Sequence, residues 1–302
     1  MSIGLHTTKQ VIIDGKKITR TMPDAMKSDI KLLKSFGIKS PSLQIFACGP
    51  RNFDETLTPD DKKQCKEIIA STGARVVIHG TYLDNPWKGK RGTVHNIKKE
   101  LRIASEIGAE GVIIHLDSAA HDDAAFTKAI ESITDFSNYS NVIPMVTLWL
   151  EINAAKSSPA TFETPNKIYE RFKDIINGKI NTHGMKIGLC IDTAHLFSCG
   201  IALDTYDRAV KWLEDVSSLL IDVPIMLHLN DSASTLGSGK DQHEVLTMGN
   251  LWAGYGSTIP MEDSGLMAIL KWAEIHGYIL ILERDYEDAI KDLVLINGLG
   301  FK

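Results

Sequence analysis

At 302 residues, with 43% apolar and 24% charged residues, the chain has an ordinary globular composition; this excludes wholesale disorder and allows two average domains or one large α/β barrel. A formal net charge of −5 lacks the basic footprint that phosphate binding normally leaves, an objection that any nucleic-acid reading must meet. No apolar run reaches membrane-spanning length, the start MSIGLHTTKQ lacks a signal-peptide layout, and Cys48, Cys65, Cys190 and Cys199 form neither a zinc-finger nor a disulfide pattern, so an intracellular protein with no membrane partner is expected.

Short apolar runs alternate with helical patterns from end to end. Ser2 to Leu5 reads as a first strand, and after a polar loop a helix is predicted from Asp24 to Phe36. Ser42 to Cys48 is a second strand; Thr58 and Pro59 then supply an N-cap and a first-turn proline for a helix to Ser71. Arg75 to His79 is a third, followed by the loop GTYLDNPWKGKRG and a helix ending near Ile107 and Gly108. Gly111 to His115 precedes a helix from Asp123 to Phe136, and Thr147 to Ile152 precedes one capped by Thr164 and Pro165. Ile187 to Asp192 leads to a helix over Asp204 to Leu219, and Pro224 to Leu229 to one over Gly265 to Ile275. Tyr278 to Glu283 leads to a last helix from Tyr286.

Eight strand-helix units with near-continuous apolar strands imply buried parallel strands, and hence one α/β domain over residues 1–302 folded as a (β/α)8 TIM barrel. A doubly wound open sheet would need a topological switch point, and no Gly-rich phosphate turn follows the first strand to mark one. In a barrel the site is built at the C-terminal ends of the strands.

Strands three to eight end in His79, His115, Glu151, Asp192, His228 and Glu283, each a metal-binding type closing an apolar run. His195 lies one helical turn beyond Asp192 in IDTAHLF. In the seventh loop Asp241 and His243 stand at i and i+2, where extended side chains point the same way and can converge on one ion. Two such residues in a polar loop are more often simply solvated; the coincidence at successive strand ends overturns that reading. Imidazoles and carboxylates without thiolate suit zinc, with manganese as second choice, and the set exceeds what one ion uses. Two or three ions are implied. Three divalent ions would turn the formal charge to roughly +1, concentrated in one cleft, which answers the objection from acidity.

The remaining candidates read as structural. His95, His183 and His276 fall away from strand ends, His121 lies in a solvated loop, and His6 closes the first strand without a partner of known spacing. Cys190, two residues before Asp192, is a small core filler.

In order and in local wording these residues resemble the endonuclease IV family of zinc-dependent abasic-site endonucleases. The likeness runs from Ile3 to Glu283; CIDTAHLFSCG (Cys190 to Gly200) and HLNDSASTLGSGKDQH (His228 to His243) carry it most specifically, HGTYLDN and ILER less so. The resemblance implies three zinc ions: one held by His79, His115 and Glu151, a second by Asp192, His228 and Glu283 with Glu151 bridging, and a third by His195, Asp241 and His243. Manganese is the alternative at one position. It also implies hydrolysis of the phosphodiester 5′ to an abasic site in double-stranded DNA, giving a 3′-hydroxyl and a 5′-deoxyribose phosphate, with removal of 3′-blocking groups as a related activity. Glu151 is then the catalytic residue, the metal ions activate water and stabilise the leaving oxygen, and no organic cofactor is required. A monomer is expected.

The resemblance implies DNA contacts as well. Tyr82 and Leu83 would press into the duplex at the lesion from the minor-groove side, with Arg51 in FACGPRNF as a further wedge. Wedges unstack a duplex most easily where a base is already missing. The plainer alternative for Tyr82 is packing on the barrel rim. Lys88, Lys90 and Arg91 suit phosphate contacts, although a charge run is usually a solvated face.

Departures from the family pattern are local. Gln242 stands where Arg is common, removing one cationic DNA contact; Leu116-Asp117 replace Pro-Gly after His115; and Ile152-Asn153-Ala154-Ala155 replace Asn-Thr-Ala-Gly after Glu151. The fourth and fifth loops are therefore expected to be shaped differently. The rival reading is a metal-dependent sugar isomerase or epimerase, for which Glu151, Asp192, His228 and Glu283 on one ion would suffice. His195, Asp241 and His243 would then be surplus. A non-catalytic DNA-binding module would need none of these ligands.

Overall fold

The computed structural model describes residues 1–83, 85–137, 145–252 and 258–302. In chain order its elements are β1 (Ser2–His6), β2 (Gln10–Ile13), β3 (Lys16–Thr19), α1 (Met22–Ser35), β4 (Ser42–Ile45), α2 (Pro59–Thr72), β5 (Arg75–His79), α3 (Arg91–Ile107), β6 (Gly111–Leu116), α4 (Asp123–Thr134), β7 (Thr147–Ile152) and α5 (Pro165–Ile176). There follow β8 (Lys186–Asp192), α6 (Thr193–Ser198), α7 (Tyr206–Leu219), β9 (Ile225–His228), β10 (Asp231–Ser232), β11 (His243–Glu244), α8 (Gly265–His276), β12 (Ile279–Leu282) and α9 (Tyr286–Gly298). Strands β1, β4 to β9 and β12 close a parallel barrel in sequence order, β12 returning to β1 with Ser2 opposite Ile279. This is the (β/α)8 barrel expected from the alternation of elements.

The helices start where the sequence puts caps. Thr58 and Asp61 form a reciprocal capping box at the head of α2, Thr164 caps α5 and Thr205 caps α7, each satisfying a backbone N–H that would otherwise lack a partner.

Two elements differ from the sequence reading. The stretch read as a polar loop before α1 contains a β2–β3 hairpin, closed by Asp14 (φ 50°) and Gly15 (φ 70°), the left-handed pair that a tight Asp-Gly turn requires. The flanking QVII and KKIT are only four residues each, and KKIT opens on two lysines, which hid the alternation. The second barrel strand stops at Ile45; beyond it Cys48 makes only an isolated bridge with Glu55.

Inside the barrel, Val77, Ile113, Trp149, Cys190, Met226, Ile279 and Ile281 form a separate apolar cluster. Gly188 makes room for it, because a Cβ there would lie 2.5 Å from the Trp149 ring. Along a strand, residues two apart face the same way. Two residues beyond Val77, Ile113, Trp149, Cys190, Met226 and Ile281 come His79, His115, Glu151, Asp192, His228 and Glu283. The polar centre is thus the next interior level above an apolar plug.

Candidate metal centre

Glu151 is the hub. It is buried at the end of β7, with Oε2 3.2 Å from His79 Nε2 and 3.1 Å from His115 Nε2, and Oε1 3.0 Å from His228 Nδ1. Burial opposes its ionisation, but His228 and His115 outweigh burial and hold the carboxyl well below its ordinary range. His228 Nδ1 also lies 3.1 Å from Glu283 Oε2 and 3.8 Å from Asp192 Oδ2. Asn230 ties these carboxylates together, donating from Nδ2 to Asp192 Oδ2 (2.6 Å) and to Glu283 Oε2 (3.2 Å).

A second group stands beside it. Asp192 Oδ1 accepts from the N–H groups of Ala194 (2.7 Å) and His195 (3.0 Å), so the residue that ends β8 also caps α6 and brings His195 back over the barrel. Two short strands place His243: β10 and β11 pair antiparallel, with Ser232 opposite His243. Asp241 Oδ1 lies 3.4 Å from His195 Nε2 and 3.0 Å from His243 Nε2. Partial burial opposes ionisation of the Asp241 carboxyl, but these two imidazoles outweigh it and depress the carboxyl strongly. Asp192 joins the same group, its Oδ2 3.6 Å from His243 Nε2.

The ligand-type atoms of His79, His115 and Glu151 lie within 4.8 Å of one another, as do those of Glu151, Asp192, His228 and Glu283, and those of Asp192, His195 and His243. Buried His195 Nε2 and His243 Nε2 find no hydrogen-bond partner among the described residues. Buried nitrogens that face carboxylates without making a hydrogen bond to them are what a metal site looks like without its ion. The clusters are therefore compatible with bound divalent metal. Cys190 lies within reach of Glu151 and His228, but burial pushes its thiol up to about 12, so it stays protonated and serves as interior filling.

The residues read as DNA contacts sit on the rim. Tyr82 is 51% exposed and Leu83 50%. The Tyr82 ring stacks on His115 at 5.8 Å with an interplanar angle of 6°, and meets the edges of His79 and Phe46. Arg51 is exposed in the loop after β4, and that loop is bound to the Tyr82 loop: Pro50 O accepts from Tyr82 N (2.9 Å) and Thr81 Oγ1 (3.0 Å). Lys88 and Lys90 are exposed nearby, Lys88 3.7 Å from Asp117 Oδ2; the Arg91 side chain lies outside the described residues. Asp117, one of the departures, caps a 3-10 turn over Ser118–His121 and also accepts from Asn85, joining the third and fourth loops.

Gln44 escaped the sequence reading, which took His6 as structural. His6 is not a bystander on its strand: its Nδ1 is 2.9 Å from Gln44 Nε2, which also donates to Glu283 Oε1 (2.6 Å). Gln44 Oε1 is 2.7 Å from His228 Nε2. A glutamine between Leu43 and Ile45 in a barrel strand, fully buried, is the signal that could have drawn notice.

A closed barrel with metal-type residues at six strand ends defines a class, and the comparisons agree. Residues 30–294 match the family model described as xylose isomerase-like TIM barrel. A probable AP endonuclease of African swine fever virus (isolate Tick/Malawi/Lil 20-1/1983) is 32% identical over 293 residues, covering 95% of this chain and 94% of its own length. The crystal structure of AsfvAP:AG superposes with a TM-score of 0.82 at 30% identity, over 98% of this chain and 96% of that one. Endonuclease IV from Thermus thermophilus shares the fold, with a TM-score of 0.70 at 21% identity over 99% and 98% of the two chains. The chain belongs to the endonuclease IV (AP endonuclease) family.

Proposed function

We propose that this chain is a DNA-repair endonuclease that hydrolyses the phosphodiester 5′ to abasic sites in double-stranded DNA, leaving a 3′-hydroxyl and a 5′-deoxyribose phosphate. It also removes blocking groups from 3′ ends, and works as a monomer with one domain over residues 1–302. The observation that carries this reading is the second polar group. A sugar isomerase or epimerase needs one ion on the Glu151, Asp192, His228, Glu283 quartet, whereas here His195 and His243 turn buried Nε2 atoms that make no hydrogen bond toward the Asp241 carboxylate beside it. The African swine fever virus relative supports the same activity.

His79, His115 and Glu151 would hold one zinc, Asp192, His228, Glu283 and Glu151 a second, and His195, Asp241 and His243 a third, with manganese as the alternative at one position. Such ions supply activated water at neutral pH and neutralise charge on the phosphodiester oxygens. The residues do the rest. Glu151 turns one oxygen to His79 and His115 and the other to His228, so a single carboxylate sets the spacing between two positions. Tyr82, Leu83 and Arg51, on bonded rim loops, would enter the duplex at the lesion and hold the phosphodiester over the centre.

The test is nicking of a duplex bearing one abasic analogue, with metal content measured on the same protein. Two or three ions per chain and cleavage on the 5′ side are expected. Fewer than two ions, or no nicking by metal-replete protein, would overturn the reading; one ion with keto-sugar epimerisation would establish the rival. Glu151→Gln should reduce nicking by about 10²–10³-fold, the scale of losing a preorganised electrostatic group, without loss of the fold.

A further inference from the structure

We propose that Gln44, anchored by His6, is the positioning residue that decides which ring nitrogen of His228 faces the metal centre. The inference rests on the reading that the inner cluster holds divalent ions.

Three of the other four imidazoles take their orientation from the main chain. His79 Nδ1 lies 2.7 Å from Gly80 O, His195 Nδ1 2.8 Å from Ile152 O and His243 Nδ1 3.5 Å from Glu283 O. A carbonyl only accepts, so each Nδ1 carries the proton and each Nε2 is left to the centre. His228 is turned the other way. Its Nδ1 faces Glu151, Glu283 and Asp192, and its Nε2 faces a side chain, Gln44 Oε1.

A chain of donors and acceptors fixes this choice. The nearest oxygen of Glu283, 2.6 Å from Gln44, is an acceptor, so the amide must turn its nitrogen there. The second amide hydrogen goes to His6 Nδ1. The amide oxygen is then committed to His228 and accepts from Nε2–H, leaving the Nδ1 lone pair for the ion. Every polar atom of the buried Gln44 side chain is used, and one side chain orients two inner residues, His228 and Glu283. Hydrogen bonds of this kind to a ligating imidazole are worth about 10–100-fold in metal affinity.

The experiment uses full-length protein, stripped of metal and reloaded with zinc. Two-bond 1H–15N correlation spectra of 15N-histidine-labelled, zinc-loaded protein should show His228 protonated on Nε2, with slow solvent exchange. Gln44→Met, similar in size but unable to accept, should lose that protected proton and bind one zinc equivalent about 10–100-fold more weakly. Gln44→Glu keeps an acceptor opposite Nε2, although it gives up the donors to Glu283 and His6, and should keep the proton; a role confined to packing would not separate these two variants. His228 protonated on Nδ1, or an unaltered proton and unaltered zinc affinity in Gln44→Met, would overturn the proposal. Should Gln44→Met not fold, His6→Phe frees one amide hydrogen and should speed exchange of the Nε2 proton; unchanged exchange overturns the proposal equally. Wild-type protein that binds zinc and shows the protected proton but does not nick abasic DNA refutes the assigned function and leaves Gln44's role standing. Wild-type protein that binds no zinc refutes both.

Discussion

Tyr82 combines half exposure with a ring stacked flat on His115, so it is both a wall of the centre and an edge offered to whatever enters. Tyr82→Ala should weaken binding to abasic duplex by about 1–3 kcal/mol, the scale of an aromatic ring lost from a base, while zinc content stays unchanged. Binding titrations beside metal analysis check it; unaltered affinity would make Tyr82 scaffold only. Asp292 in α9 gives a second prediction. Burial outweighs the Leu246 N–H and the facing Arg284 and pushes its carboxyl up to about 6. A raised folded-state value means the proton is held more tightly in the folded chain. Stability from this group is therefore complete below its ordinary value of 3.8 and is lost as pH rises through about 6. Asp292→Asn should remove about 3 kcal/mol of that pH dependence over this window, read from denaturation at several pH values.

Among the elements, the segment from β10 through β11 to Leu251 is organised around one carboxylate. Asp231, fully buried, accepts from the N–H groups of Ser232 (2.7 Å) and Leu251 (2.9 Å) on Oδ1, and of Thr247 (2.9 Å) and Gly249 (3.2 Å) on Oδ2. Gly249 is required there, since a Cβ would lie 2.5 Å from Oδ1. Asp231→Asn would set an NH2 against those donors and should cost about 2–4 kcal/mol. It should also weaken the outer metal position, because His243 is placed by pairing with Ser232, while the inner positions keep their affinity; denaturation and zinc titration together check this. The spacing of Asp241 and His243 was legible in the sequence because an extended i, i+2 pair needs no tertiary information. Apolar runs closed by ligand types made the six strand ends legible for the same local reason. Gln44 and His6 were not, because their importance lies in contacts with Glu283 and His228 from distant strands, and no local pattern encodes a hydrogen bond across the barrel. The hairpin of β2 and β3 was hidden by lysines where alternation would otherwise show. The departures at Asp117 could be named from sequence, but its joining of two loops could not.

For the whole molecule, His79, His115, Glu151, Asp192, His228 and Glu283 close successive strands around the barrel, and the first two strands contribute His6 and Gln44 through hydrogen bonds. Ion binding should therefore stabilise the closed barrel as a unit. Chelation is expected to lower the melting temperature while the transition stays single, with a loss on the order of 3–4 kcal/mol for each ion held at 100 to 1,000 times its Kd. Calorimetry with and without chelator checks this, and an unchanged transition would separate metal binding from folding. Among the described residues no helix is long and apolar enough to cross a membrane.

The level-by-level stacking of the centre on its apolar plug has a further consequence for how the chain matures. Because each inner residue stands on a different strand, the centre is assembled strand by strand, and only the position that includes Glu283 waits for the last of them. A chain still lacking β12 has neither Glu283 nor the strand that pairs with both β9 and β1. Competence to take up the full set of ions is therefore completed late in synthesis, when the last strand closes the ring and brings Glu283 to Glu151, Asp192 and His228.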